Sequence, residues 1–397
     1  MLIGVVGKPS AGKSTFFKAC TMVDVGIANY PFTTIKPNHA VGYVRIPCVD
    51  AFFGKQCNPR FGSCEDHQRF VPVDLVDVAG LVPGAHRGEG MGLQFMNDLN
   101  QADALIHIVD ASGSVDARGK AVMPLSYDPR EDVRFLEREL DYWYLEIIKR
   151  GWGTFARQAQ MEKKDPVKAV AKQLSGLKVD EEMVAAAFRQ LGLDGKPLTS
   201  WGEDDLLALA KELRQRSKPM LIAANKVDIP GAAGNVGKLQ EAFPGSLIIP
   251  CSADGELALR EAKKRALIRY LPGDGTFQLL EGVSDKQRQA LEFIHQQVLA
   301  PFGSTGVQQV LNTAVFRLLQ YKAIYPGGVH KLEDREGRTL PDCFLMPPQA
   351  TALDFAFRLH TDFGNNFIKA VNVKTRMPVG KDHVLEDGDV IEIMARK

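Results

Sequence analysis

Five short runs along the chain are apolar on both faces: Leu2 to Val6, Val71 to Val78, Ala104 to Val109, Met220 to Ala224 and Ser246 to Pro250. A strand that alternates apolar and polar residues covers one side of a sheet. A run without alternation must be buried on both sides, as in parallel strands packed between helices. The pattern therefore predicts an α/β fold, a doubly wound and mostly parallel sheet.

Between the third and fourth runs the period changes. Val133, Leu136, Leu140, Tyr144 and Ile147 recur at steps of three and four, after Asp128 as N-cap and Pro129 at the first helical position. Further helices are expected over Pro166 to Leu177, Glu181 to Leu191 and Glu203 to Arg214, then Asp285 to Leu299 and Gly306 to Leu319. The expected organisation is a split sheet domain, 1–127 and 217–275, with a helical insertion at 128–216. A helical linker at 276–324 leads to a terminal unit, 325–397, of short strands with one helix at Leu353 to Leu359. Trp143, Tyr144, Trp152 and Trp201 in the insertion read as core, with a partner surface as the alternative.

Composition narrows the class. At 397 residues, 45% hydrophobic and 24% charged, the chain can bury a sizeable core, and its net charge of +1 demands neither nucleic acid nor an acidic membrane. No apolar run reaches the ~18 residues that span a bilayer. The first residues also lack the basic stretch of a secretory signal, so a cytoplasmic location is expected. Six cysteines are too sparse for a disulfide scaffold. Cys57, Cys64 and His67 raise the alternative of a zinc site. Their C-x6-C spacing with one histidine falls short of the usual four close ligands, and reduced loop thiols are the plainer reading.

The chemistry concentrates at the ends of the apolar runs. Gly7-Lys8-Pro9-Ser10-Ala11-Gly12-Lys13-Ser14, followed by Thr15, has the spacing of a phosphate loop between a strand and a helix. Glycines let backbone N–H groups turn toward phosphates and the helix N-terminus adds its dipole. Lys13 supplies a point charge to the β and γ phosphates, and Ser14 offers a hydroxyl to Mg²⁺. Asp77-Val78-Ala79-Gly80 is a D-x-x-G sequence, in which Asp77 would hold Mg²⁺ and the Gly80 N–H would meet the γ-phosphate. Thr34, preferred over Thr33, would complete the metal shell.

Asn225-Lys226-Val227-Asp228 is an N-K-x-D sequence. Guanine presents two adjacent donors, N1–H and the 2-amino group, that one carboxylate accepts together, and adenine offers no such pair. Asp228 is therefore expected to select GTP and GDP. Lys226 is expected over the purine, Asn225 to tie this loop to the phosphate loop, and Ser252 and Ala253 to lie near guanine O6.

Together these residues resemble the Obg-like P-loop GTPases, in the branch related to YchF. The likeness rests on G-K-P-S-A-G-K-S, Y-P-F-T-T-I-K-P-N, D-V-A-G-L-V-P-G-A-H, N-K-V-D and the terminal L-E-D-G-D-V-I-E-I, and so spans essentially the whole chain. The resemblance implies a G domain, a helical insertion and a C-terminal TGS domain, a ubiquitin-like β-grasp associated with ribosome or RNA contact. Two departures matter. YchF-type members carry N-x-x-E and can prefer ATP, whereas this chain has Asp228. Many related proteins place in the phosphate loop an asparagine that helps bind an activating potassium ion; here that position is Ser10.

The residue after D-x-x-G is Leu81, where small GTPases use a glutamine to orient the attacking water. Slow intrinsic hydrolysis is expected, with water orientation left to the Thr34 carbonyl, to a group such as His86, or to a partner. The competing reading is a nucleotide-gated ribosome- or RNA-binding module in which hydrolysis is incidental. From Pro326 onward 10 Lys and Arg stand against 11 Asp and Glu, giving 10 − 11 = −1, which argues against bulk phosphate attraction there.

Overall fold

The computed structural model describes residues 1–21, 38–78 and 99–396. These form two compact units, one of Met1–Ala19 with Leu75–Val307 and one of Cys20–Asp74 with Gln308–Lys397. Residues 38–74 thus group with the C-terminal part of the chain.

In the first unit β1 (Leu2–Val6) pairs in parallel with β5 (Ala104–Asp110), which pairs in parallel with β6 (Met220–Asn225), and β6 with β7 (Ile248–Pro250). The end of β4 (Gln68–Asp77) joins them, the next residue's N–H, on Val78, donating to the Val5 carbonyl at 3.0 Å. All seven residues of β5 are buried, as a strand covered on both faces requires. A doubly wound, mostly parallel sheet is what the apolar runs dictate.

The insertion packs on this sheet as helices Arg130–Lys149, Trp152–Met161, Pro166–Gln173, Glu181–Leu191 and Glu203–Ser217. The first begins one residue later than expected: Pro129 is its N-cap, and the Asp128 carboxylate accepts the Arg130 N–H at 3.0 Å. Leu136, Leu140, Tyr144, Trp152 and Trp201 all sink into one core with Val76 and Val78. Trp152 and Trp201 stack at 5.4 Å, so these aromatics serve the interior, as their spacing indicates.

In the second unit β10 (Lys322–Pro326) lies between β11 (Phe344–Met346), antiparallel, and β14 (Val390–Ala395), parallel. β12 (Phe367–Asn372) continues from β14 and β13 (Met377–Val379) closes the sheet, both antiparallel. Helix Ala352–Leu359 is held by a capping box between Thr351 and Asp354 and buries Phe355 over the sheet. This is a β-grasp. The same unit holds β2 (His39–Pro47), β3 (Ser63–Glu65) and Gln68–Asp74 of β4, β3 pairing with β4 as a hairpin.

Candidate functional site

The C-terminal ends of β1, β5, β6 and β7 open on one edge of the first unit's sheet, where open α/β folds collect their ligands. Residues 7–12 leave β1 as a loop and Lys13–Thr21 forms the helix behind it. At Gly12 the backbone has φ +93°, and a Cβ there would lie 2.2 Å from Asn225 Nδ2. A Cβ on Gly7 would meet the Ile108 carbonyl at 2.7 Å. The loop can run this close to β5 and β6 only as glycine. Pro9, Ser10 and Ser14 are exposed, Ala11 is buried and Thr15 half-buried. Ser10 has φ 64° and its hydroxyl donates to Gly119 O at 3.1 Å.

Lys13 turns toward β4. Its ammonium pairs with the Asp77 carboxylate and donates to Val78 O at 2.8 Å. The Lys13 ammonium and the Asp77 carboxylate thus meet beside the loop, with Ser14 next to Lys13 at the start of the helix. Thr34, Gly80, Leu81 and His86 lie outside the described residues.

The loops after β6 and β7 converge through Asn225. Its amide donates to Ala11 O at 3.0 Å and its side-chain oxygen accepts the Ala253 N–H at 3.0 Å, so one buried side chain ties the phosphate loop to the loop after β7. Asp228 accepts a hydrogen bond from Ser252 Oγ at 2.7 Å. The same hydroxyl accepts the Gly255 N–H and caps helix Ala253–Lys264. Lys226 stands at φ 65° with its ammonium 3.1 Å from Asp110 Oδ2.

Several residues here escaped the sequence reading. Asp110 is fully buried and collects Lys226, the Ser112 N–H and hydroxyl, and the Ser114 hydroxyl. Lys8, variable in the motif, is buried. Its ammonium donates to Val115 O at 2.7 Å, pairs with Asp132 at 2.9 Å and lies 3.9 Å from the Tyr127 ring centroid. Burial pushes the Asp132 carboxyl upward, with Lys8 opposing. Beside them a cavity of 320 Å³ is lined by Gly7, Lys8, His107, Tyr127, Asp132 and Phe135. His107 is wholly buried on β5, and desolvation holds its imidazole down to about 3. No local signal marks these partners, which meet only when the sheet assembles.

Fold and site together define a P-loop nucleotide-binding protein. Family models match as "50S ribosome-binding GTPase" over residues 2–133, "Obg-like GTPase YGR210-like, G4 motif-containing domain" over 223–328, and "TGS domain" over 336–395. An uncharacterized GTP-binding protein of Methanocaldococcus jannaschii is 45% identical over 99% of each chain. A crystal structure of a GTP-binding protein from Pyrococcus horikoshii is 38% identical, covers all of both chains and superposes with a TM-score of 0.78. The ribosome-binding ATPase YchF of Escherichia coli O157:H7 is 26% identical over 98% of each chain. The chain belongs to the Obg-like GTPases, in the branch related to YchF, with a C-terminal TGS domain.

Proposed function

We propose that this protein is a GTP-binding switch that hydrolyses GTP slowly to GDP and phosphate with Mg²⁺. Its nucleotide state, in this reading, gates contact with the ribosome or RNA. The observation that carries the guanine assignment is the Asn225 bridge, which holds Asp228 and the Ser252-Ala253 loop in one unit with the phosphate loop. In that frame the Asp228 carboxylate accepts guanine N1–H and the 2-amino group, the backbone near Ser252 and Ala253 meets O6, and Lys226 covers the purine. The departure from YchF, an ATPase by its name, is the aspartate itself.

At the other end Lys13 and the backbone N–H groups of residues 10–15 take the phosphates. Ser14, Asp77 and Thr34 would hold Mg²⁺, and the hydroxyl and carboxylate oxygens of Ser14 and Asp77 are the hard donors that ion takes. When bound, the ion would supply charge neutralisation at the phosphate end. The Lys13–Asp77 ion pair supports a shared role for the two charges at the phosphate end. Gly80 would add its N–H at the γ-phosphate. Leu81 has no hydrogen-bonding side chain to orient water, which supports low intrinsic turnover.

Steady-state turnover with GTP and ATP tests the reading. GTP is preferred and Lys13→Ala stalls; equal use of both nucleotides overturns the Asp228 argument. In Leu81→Gln, unchanged hydrolysis would show that water orientation comes from elsewhere. The ribosome link is supported by the name of the E. coli relative and by the TGS domain. Co-sedimentation that is equal with a GTP analogue and with GDP would remove the gating. No helix among the described residues is long and apolar enough to cross a membrane. The ribosome-binding name of the E. coli relative supports a proposed cytoplasmic location.

A further inference from the structure

The loop from β2 to β4 gathers more chemistry than its sequence spacing suggests. Cys48 and Cys57 are buried, with their sulfurs 3.4 Å apart. Cys64 Sγ lies 3.7 Å from Asp50 Oδ2, and Asp50 is fully buried. The four ligand atoms of Cys48, Asp50, Cys57 and Cys64 all fall within 4.8 Å of one another. Zinc bound by thiolates at about 2.3 Å in a tetrahedron sets its ligands roughly 3.8 Å apart, so the cluster has the size for one ion.

The backbone builds this cluster deliberately. The Cys48 N–H donates to His67 O at 2.7 Å, bringing the end of β2 against the turn of the β3–β4 hairpin. Asp66 and His67 form that turn with φ 49° and 58°. This sharp reversal between Glu65 and Gln68 sets Cys64 beside Asp50. Asp50 Oδ2 accepts the Cys57 N–H at 2.8 Å, and Oδ1 meets His67 Nδ1 at 2.9 Å.

The Cys57 N–H and His67 hold the Asp50 carboxylate in place, and the three thiols packed against it are weak hydrogen-bond partners but, as thiolates, good ligands for a divalent cation. We propose that Cys48, Asp50, Cys57 and Cys64 bind one Zn²⁺ in a closed structural site, with His67 fixing the carboxylate from outside. Three thiolates and one carboxylate carry four negative charges, of which the ion takes two. The buried Arg69 guanidinium, whose field reaches Cys48 and Cys57, offsets part of the rest. A ligating carboxylate is itself held by a hydrogen-bonding group outside the coordination sphere, and His67 fills that place for Asp50.

The ion's work is to hold the loop that carries the β-grasp. Lys55 pairs with Glu333, and Arg60 with Asp334 at 3.1 Å and Asp342 at 3.6 Å. The Asn58 N–H donates to Thr339 O at 2.9 Å. Arg69 grips Leu340 O and Pro341 O at 2.6 and 2.8 Å. The contacts of Lys55, Asn58 and Arg60 issue from the segment that the four ligands pin, and Arg69 follows it on β4.

The test is metal analysis of the full chain purified under reducing conditions. One zinc per chain is expected, lost by at least about tenfold in Cys57→Ser and Cys64→Ser and kept in Cys20→Ser. Should the ligand variants misfold, the intact chain decides: cobalt exchanged for zinc would show thiolate charge-transfer bands and tetrahedral d–d bands. X-ray absorption on the zinc form would show three sulfurs and one oxygen. A metal-free chain, stoichiometric iron in place of zinc, a Cys48–Cys57 disulfide in the folded protein, or zinc retained by both ligand variants would overturn the proposal.

Discussion

Replacing Asp228 by asparagine changes one oxygen for an NH2 group without changing shape. Ser252 Oγ, buried and 2.7 Å from Asp228 Oδ1, can still donate to the asparagine oxygen, so the loop keeps its form. What is lost is the charge and one of two acceptors, and the new NH2 then faces a guanine donor. A hydrogen bond to a charged group contributes about 1.5–3 kcal/mol. Losing two, with one partly recovered as a neutral bond, costs about 3–4 kcal/mol, or on the order of a hundred- to a thousandfold in GDP affinity. Xanthine carries a carbonyl where guanine has the 2-amino group, so the variant should gain XDP binding as GDP binding falls. Competition against a fluorescent guanine nucleotide measures both, with ATP as reference. A GDP loss under fivefold, or an equal loss for ATP, would refute the carboxylate as base reader.

Two further changes probe the frame of the site. Asn225→Ala leaves the buried Ala11 carbonyl and Ala253 N–H without their partner, and should lower unfolding free energy by about 2 kcal/mol or more together with nucleotide affinity. Urea titration checks this, and a change below about 0.5 kcal/mol would show that the bridge holds nothing together. His107 is neutral in the fold, its imidazole depressed to about 3 by burial, and returns to about 6.5 on unfolding. Below that pH the unfolded chain takes up a proton that the folded chain refuses, so stability falls as the solution acidifies. The loss is about 2 kcal/mol between pH 6.5 and pH 5. His107→Gln should remove that part of the acid slope, and an unchanged slope would place the acid sensitivity elsewhere.

Much of this protein is written in contiguous stretches. The phosphate loop needs a strand, a turn of permissive residues and a helix start, all within Leu2 to Thr21, and local sequence specifies each. The apolar runs foretell the parallel sheet because burial on both faces leaves no room for alternation. Asp228 can be proposed as the base reader from sequence alone, because one carboxylate matches the two adjacent donors of guanine.

Tertiary structure decided the rest. Cys57, Cys64 and His67 look like an incomplete site in the sequence. The ligand set closes only when the Cys48 N–H reaches His67 O and draws Asp50 beneath the hairpin. Lys8 finds Asp132 across 124 positions, and Asn225 finds Ala11 across 214, because β1, β5 and β6 lie side by side. Hydrophobic spacing reports which face of an element is buried. Which polar groups are left to satisfy one another inside depends on strand order and register, and those are properties of the assembled fold.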